Sequence, residues 1–129
     1  MHNPQTKFQN LIAPVRPDDF FETYLGRKPL HIPGSPEKFA GLFDWADVNR
    51  IINTANVWNA NTFKLVLDNE SVAPAEFMPK GFIDEKTVSD YMAKVASVIL
   101  SGMETYAEGS AALAVAVQAA LGGWSTCKL

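Results

Sequence analysis

Two histidines, one cysteine and three groups of carboxylates are the side chains of this 129-residue sequence whose types suit metal binding or catalysis. A facial iron site needs two imidazoles and one carboxylate on a rigid frame. His2 lies in a polar leading segment and His31 stands between Leu30 and Ile32 in a proline-bounded run. Neither has an acid two places on: the runs are His2-Asn3-Pro4 and His31-Ile32-Pro33. His31 reads as a strand residue with one satisfied nitrogen. Cys127 has no base near it in sequence and reads as a small buried hydrophobe. No Gly-x-Ser-x-Gly elbow and no glycine-rich phosphate loop occurs, and Gly122-Gly123 comes after a helical pattern, so it reads as a C-cap. The carboxylates Asp18-Asp19, Asp44/Asp47 and Asp84-Glu85 each fall where a helix is expected to begin, which is the place for capping. The residues therefore nominate no catalytic group and no metal ligand, leave cofactor-binding residues unassigned, and predict no cofactor for this chain alone. Whether it is an enzyme stays open at this point.

The elements around these side chains are legible from period and punctuation. Residues 1–7 are polar and are expected to fray. Phe8, Leu11 and Ile12 share helical spacing that Pro14 ends. Pro17 opens a helix with Asp18 and Asp19 in its first turn, Phe20, Phe21, Tyr24 and Leu25 as its apolar stripe, and Gly26 as its stop. Pro29 to Pro33 must be extended, and two prolines in five residues suggest a sheet edge. Ser35-Pro36 starts a short helix that points Phe39, Leu42 and Phe43 inward. Asp44, with Asp47 three residues on, starts another whose buried face is Trp45, Val48, Ile51 and Ile52. Thr62 to Leu67 alternates as a strand, Asp68-Asn69-Glu70 turns, and Val72 to Phe77 reads as a second extended piece. Asp84 caps a helix with Val88, Tyr91, Met92 and Val95 as its stripe, leading into a buried strand at Ser97 to Leu100. Ser110 caps a last helix, Ala111 to Leu121, apolar on nearly every side, and Trp124 to Leu129 looks like the start of a strand. Helices and short strands not in strict alternation predict an α+β fold in a single domain, 1–129.

Composition narrows the classes. The sequence is 47% hydrophobic and 19% charged with net charge −3, which suits a globular domain. Arg27-Lys28 is the only adjacent cationic pair, so nucleic acid is not an expected partner. The longest apolar stretch, Ala111 to Val117, is far short of the roughly 20 residues that span a bilayer, so no membrane partner is expected. One cysteine permits no internal disulfide, and Met1 to Asn10 carries no apolar signal core, so the expected location is cytoplasmic.

The order of segments also resembles a family. Phe20-Phe21-Glu22-Thr23-Tyr24-Leu25-Gly26-Arg27-Lys28-Pro29-Leu30-His31-Ile32 resembles the opening segment of bacterial JmjC-like cupin proteins of the ribosomal-oxygenase-like branch. Phe39 to Ile52 resembles their next helical pair, Phe63 to Asn69 the strand and turn after it, and Asp84 to Leu100 the helix leading into a buried strand. Ala111 to Leu129 is similar to the last helix and first strand before the double-stranded β-helix. Ala96-Ser97 stands where a glycine is usual and Lys128 near a common asparagine. The resemblance implies an Fe(II)- and 2-oxoglutarate-dependent hydroxylase of protein or peptide side chains. Its iron triad, His-x-Asp/Glu and a distal His, belongs to the β-helix, and no residue here matches it. The implied role is an N-terminal lobe that buttresses the iron-binding barrel. The alternative is a non-catalytic interaction module that keeps only this lobe. Either role predicts apolar surface and an unpaired edge around Ala111–Leu121 and Trp124, covered by the barrel, a protein partner or a second copy of the chain.

Overall fold

The computed structural model describes residues 4–54 and 58–129. Helices surround a small antiparallel sheet, so the architecture mixes α and β as expected. The sheet is built on β1 (Phe63–Leu67), flanked by β2 (Glu70–Ser71) and β3 (Ser97–Leu100) in the order β2-β1-β3. The two residues between β1 and β2 are Asp68 and Asn69, at φ 52° and 66°. Short polar side chains tolerate this left-handed geometry, which matches the twist of a two-residue hairpin. On the other side Phe63 faces Leu100 and Leu65 faces Val98. Among the described residues no helix is long and apolar enough to cross a membrane.

Period two in β1 places the main core. Phe63 and Leu65 are fully buried while Lys64 between them is exposed. Against them pack Ile51 from α3 (Trp45–Ile52), Phe77 from α4 (Pro74–Phe77), Val88 from α5 (Glu85–Ala93), Leu100 and Met103. Trp58 closes one end. Its ring meets Phe63 edge-on with centroids 5.8 Å apart, and its indole N–H donates to the Ile51 carbonyl at 2.9 Å. That bond satisfies the one polar side-chain atom of a buried tryptophan. The start of α3 is the capping box expected at Asp44: the Asp47 amide donates to the Asp44 carboxylate at 2.8 Å and the Asp44 amide donates to the Asp47 carboxylate at 3.4 Å.

A second, smaller cluster lies between α1 (Pro4–Ile12) and α6 (Glu108–Leu121). Phe8, Ile12 and Ala116 are its buried members. Phe8 meets Phe20 edge-on at 5.7 Å and stacks on Phe21 at 5.9 Å. Those two aromatics leave α2 (Pro17–Asp19) on a π-helical turn, Phe20–Tyr24, in which the Leu25 amide donates to the Phe20 carbonyl. Gly26, at φ 69°, then ends the helical run as its position suggested. α6 is pressed against the chain leading into α3 at Gly109, where an added Cβ would collide with the Leu42 carbonyl.

Several expectations are corrected. α1 already begins at Pro4, so residues 4–7 belong to a helix; residues 1–3 lie outside the described residues. Pro29 to Pro33 is extended but pairs with no strand among the described residues, because its prolines leave too few backbone donors for a ladder. Val72 to Phe77 is not a second extended piece: the hairpin strand ends at Ser71, and Pro74 serves as the first residue of α4. α6 starts at Glu108, so Ser110 lies inside it. Its buried hydroxyl lies 2.7 and 2.9 Å from the carbonyl oxygens of Met103 and Ala107 and shares its single proton between them rather than capping the helix. Phe39, Trp45, Met92 and Val95 do not point into the core and are exposed. Val95 stands beyond the end of α5 at φ 66°.

Candidate functional site

The titratable side chains singled out in the sequence are dispersed. His2 lies outside the described residues, and His31 is exposed on the extended 29–33 segment. Among the described residues no three His, Cys, Asp or Glu side chains converge. The carboxylates are engaged locally at helix starts. Asp47 accepts from the Arg50 guanidinium at 2.9 Å, which holds its carboxyl below the usual aspartate range. The Asp84 carboxylate accepts from the Thr87 hydroxyl. Arg16 and Asp18 form an exposed ion pair at 3.7 Å.

Cys127 is half-buried, with its thiol 3.6 Å from the Ser110 carbonyl. Burial first, and the Glu104 carboxylate second, push the thiol pKa up. That direction favours the thiol over the thiolate, in keeping with a packing role. Its backbone does more. The Cys127 amide donates to Glu104 Oε2 at 2.8 Å, and its carbonyl accepts from the amides of Gly102 and Met103, both at 3.1 Å. These bonds pin the segment after α6 beside the end of β3.

That pinned segment frames an apolar groove of about 370 Å³. Phe43, Trp45, Val48 and Ile52 line it from the start of α3 and along one of its faces. Met92 contributes from α5, Val98 and Leu100 from β3, and Leu129 from the pinned segment. Among the described residues Asp44 is the one acidic side chain in the lining, and its carboxylate is already held by the Asp47 amide. The groove is a lateral continuation of the main core: Phe43, Ile52 and Val98 touch that core and also line the groove. Trp45 is 72% exposed at its rim, and Met92 and Leu129 are 44% and 49% exposed.

Backbone hydrogen bonding defines one wall. The Leu100 amide donates to the Leu129 carbonyl and the Leu129 amide to the Leu100 carbonyl, both at 3.0 Å. Ser101 and Lys128 form an antiparallel bridge beside this pair. The expected strand start after Trp124 is thus realised only at its far end, against the outer edge of β3. Trp124 itself is 96% exposed.

Periodicity places most groove-lining residues on the right elements but assigns Trp45 and Met92 to the core, whereas both are exposed at the groove. Trp58 and Leu129 carry structural and site roles that sequence reasoning misses. Trp58 sits in an asparagine- and threonine-rich stretch without period, and its only signal is that of a large aromatic in a polar context. No family model matches this sequence, and no characterised protein matches it significantly.

Proposed function

We propose that these residues form a supporting lobe of a JmjC-like Fe(II)/2-oxoglutarate-dependent protein or peptide hydroxylase, holding the barrel that carries the iron rather than acting on substrate directly. The observation that carries a supporting role is the groove. It is an open margin of the main core, lined by apolar side chains, with the Asp44 carboxylate engaged in capping α3. Such a surface takes apolar side chains of another polypeptide segment and offers nothing to polarise a substrate. The choice of a JmjC-like barrel comes from the sequence resemblance. The order of elements agrees with that resemblance from the helical turn ending at Gly26, through α3, β1 and its turn, to α5 leading into β3 and α6 leading to the segment pinned on β3. The extended 29–33 segment, outside the sheet, departs from it.

The test is isolation of the native product with an antibody against α5, then peptide mass mapping and a 2-oxoglutarate turnover assay. The proposal expects a product in which the lobe accompanies a barrel bearing His-x-Asp/Glu and a distal histidine, with turnover that residues 1–129 alone lack. A native product without such a barrel contradicts the hydroxylase reading and favours the interaction module.

A further inference from the structure

Away from the apolar groove, two cavities meet along the chain that leads into α3. One, of about 210 Å³, lies between α1, the 38–42 segment and α6. The other, of about 390 Å³, runs on to the first turns of α3 and α6. Lys7, Gly41 and Leu42 line both, so the two form one continuous trench. Its walls approach closely because Gly109 of α6 puts no side chain against Leu42.

The two ends differ in kind. The smaller end has an apolar floor of half-buried Leu11, Leu42 and Leu113. Among the described residues its charged linings are Lys7 and Lys38, and no acid lines it. The larger end is polar and holds Asp47, Arg50 and Glu108. Asp47 and Arg50 satisfy each other at 2.9 Å, and Lys38 donates to the Ala13 carbonyl at 3.1 Å. Among the described residues neither Lys7 nor Glu108 belongs to an ion pair. The trench thus offers one cation at its junction, one anion at its polar end and an apolar floor at the other.

We propose that this trench binds an apolar α-amino acid in its zwitterionic form. Lys7 takes the carboxylate, Glu108 takes the ammonium, and the aliphatic side chain rests on Leu11, Leu42 and Leu113. Lys7 stands where the two cavities join, which is where a ligand with its tail in one and its ammonium in the other must place its carboxylate. A plain anion suits the lysine end but is repelled by Glu108, and a plain cation is repelled by Lys7 and Lys38. A molecule with both charges and an aliphatic tail gives each part of the trench its complement. The trench shares no lining residue with the apolar groove, so this inference stands apart from the supporting-lobe reading.

The test is titration of the 129-residue chain with L-leucine, followed by amide and methyl chemical shifts. A dissociation constant on the order of 1 mM is expected for so small a ligand, with the shifts centred on Gly41, Leu42, Gly109 and Leu113. Isocaproate, which is leucine without its ammonium, and isoamylamine, which lacks the carboxylate, are each expected to bind about tenfold more weakly. Lys7→Met and Glu108→Gln are each expected to weaken leucine by about the same factor without moving the unfolding midpoint. The two analogues ask the same question of the unaltered chain, so a variant that fails to fold leaves the test intact. No shift with leucine at about ten times the expected constant overturns the site. Shifts centred on Trp45 and Met92 overturn its location. Isocaproate binding as tightly as leucine overturns the role of Glu108, and isoamylamine doing so overturns that of Lys7.

Discussion

The sheet-centred core and the α1–α6 cluster are built by different means. The first gathers buried side chains from β1, β3, α3, α4 and α5, elements far apart in sequence, around Phe63 and Leu65. The second has three buried members, Phe8, Ile12 and Ala116, and relies on an aromatic trio in which Phe8 meets the adjacent pair Phe20 and Phe21. The first carries the groove at its margin, where Trp45 and Met92 are exposed, and Phe21, stacked on Phe8, is exposed beside the second.

Substitutions separate the two regions. Phe63→Ala empties the centre of the main core and is expected to destabilise by about 4–5 kcal/mol, at the upper end for such truncations. Chemical denaturation should show it as a lowered midpoint or outright loss of the cooperative transition. Phe8→Ala removes a ring from the smaller cluster and is expected to cost about 3 kcal/mol. Amide exchange in that variant should quicken in α1 while β1 stays protected, and equal loss in both would merge the two regions into one cooperative unit. Gly109→Ala strikes the contact between α6 and the chain leading into α3. Its new Cβ meets the Leu42 backbone, which yields less readily than a side chain, so a cost of about 1–3 kcal/mol is expected from thermal unfolding.

Smaller still is the cap of α3, which shapes the groove's rim. Asp44→Ala should cost about 1 kcal/mol. Asp47 adds a pH dependence whose sign comes from its lowered pKa. A carboxyl with a lower pKa in the folded than in the unfolded chain contributes stability that is fully present above its unfolded pKa and is lost as pH falls through the folded value. Unfolding midpoints compared at pH 7 and in acid should show this part of the acid loss disappearing in Asp47→Asn.

Much of the fold is legible in local sequence grammar. The alternation of Phe63, Lys64 and Leu65 marks the central strand, Asp44 with Asp47 marks the start of α3, and Pro17 and Gly26 bracket the helical run between them. Periodicity also groups Trp45, Val48 and Ile52 on one face, but it does not say what that face meets. Ile51 next to them turns into the core while the stripe itself lines the groove. Pro74 decides the fate of Val72 to Phe77 locally, by opening a helix, whereas a tertiary neighbour decides that of Ser110, whose hydroxyl turns to the Met103 carbonyl instead of capping. The site is the least legible part, because a groove shared by α3, α5, β3 and Leu129 is assembled by tertiary neighbours that side-chain type does not announce.

Whether the groove is covered in the native protein is the central question, and Trp45 reports on it directly. Hydroxyl-radical footprinting with mass-spectrometric readout, using buried Trp58 as the internal reference, measures its accessibility in the isolated chain and in the native product. Strong labelling of Trp45 in the isolated chain, where it is 72% exposed, and clear protection in the native product is the expected outcome. Equal labelling of Trp45 in both would contradict the supporting-lobe account.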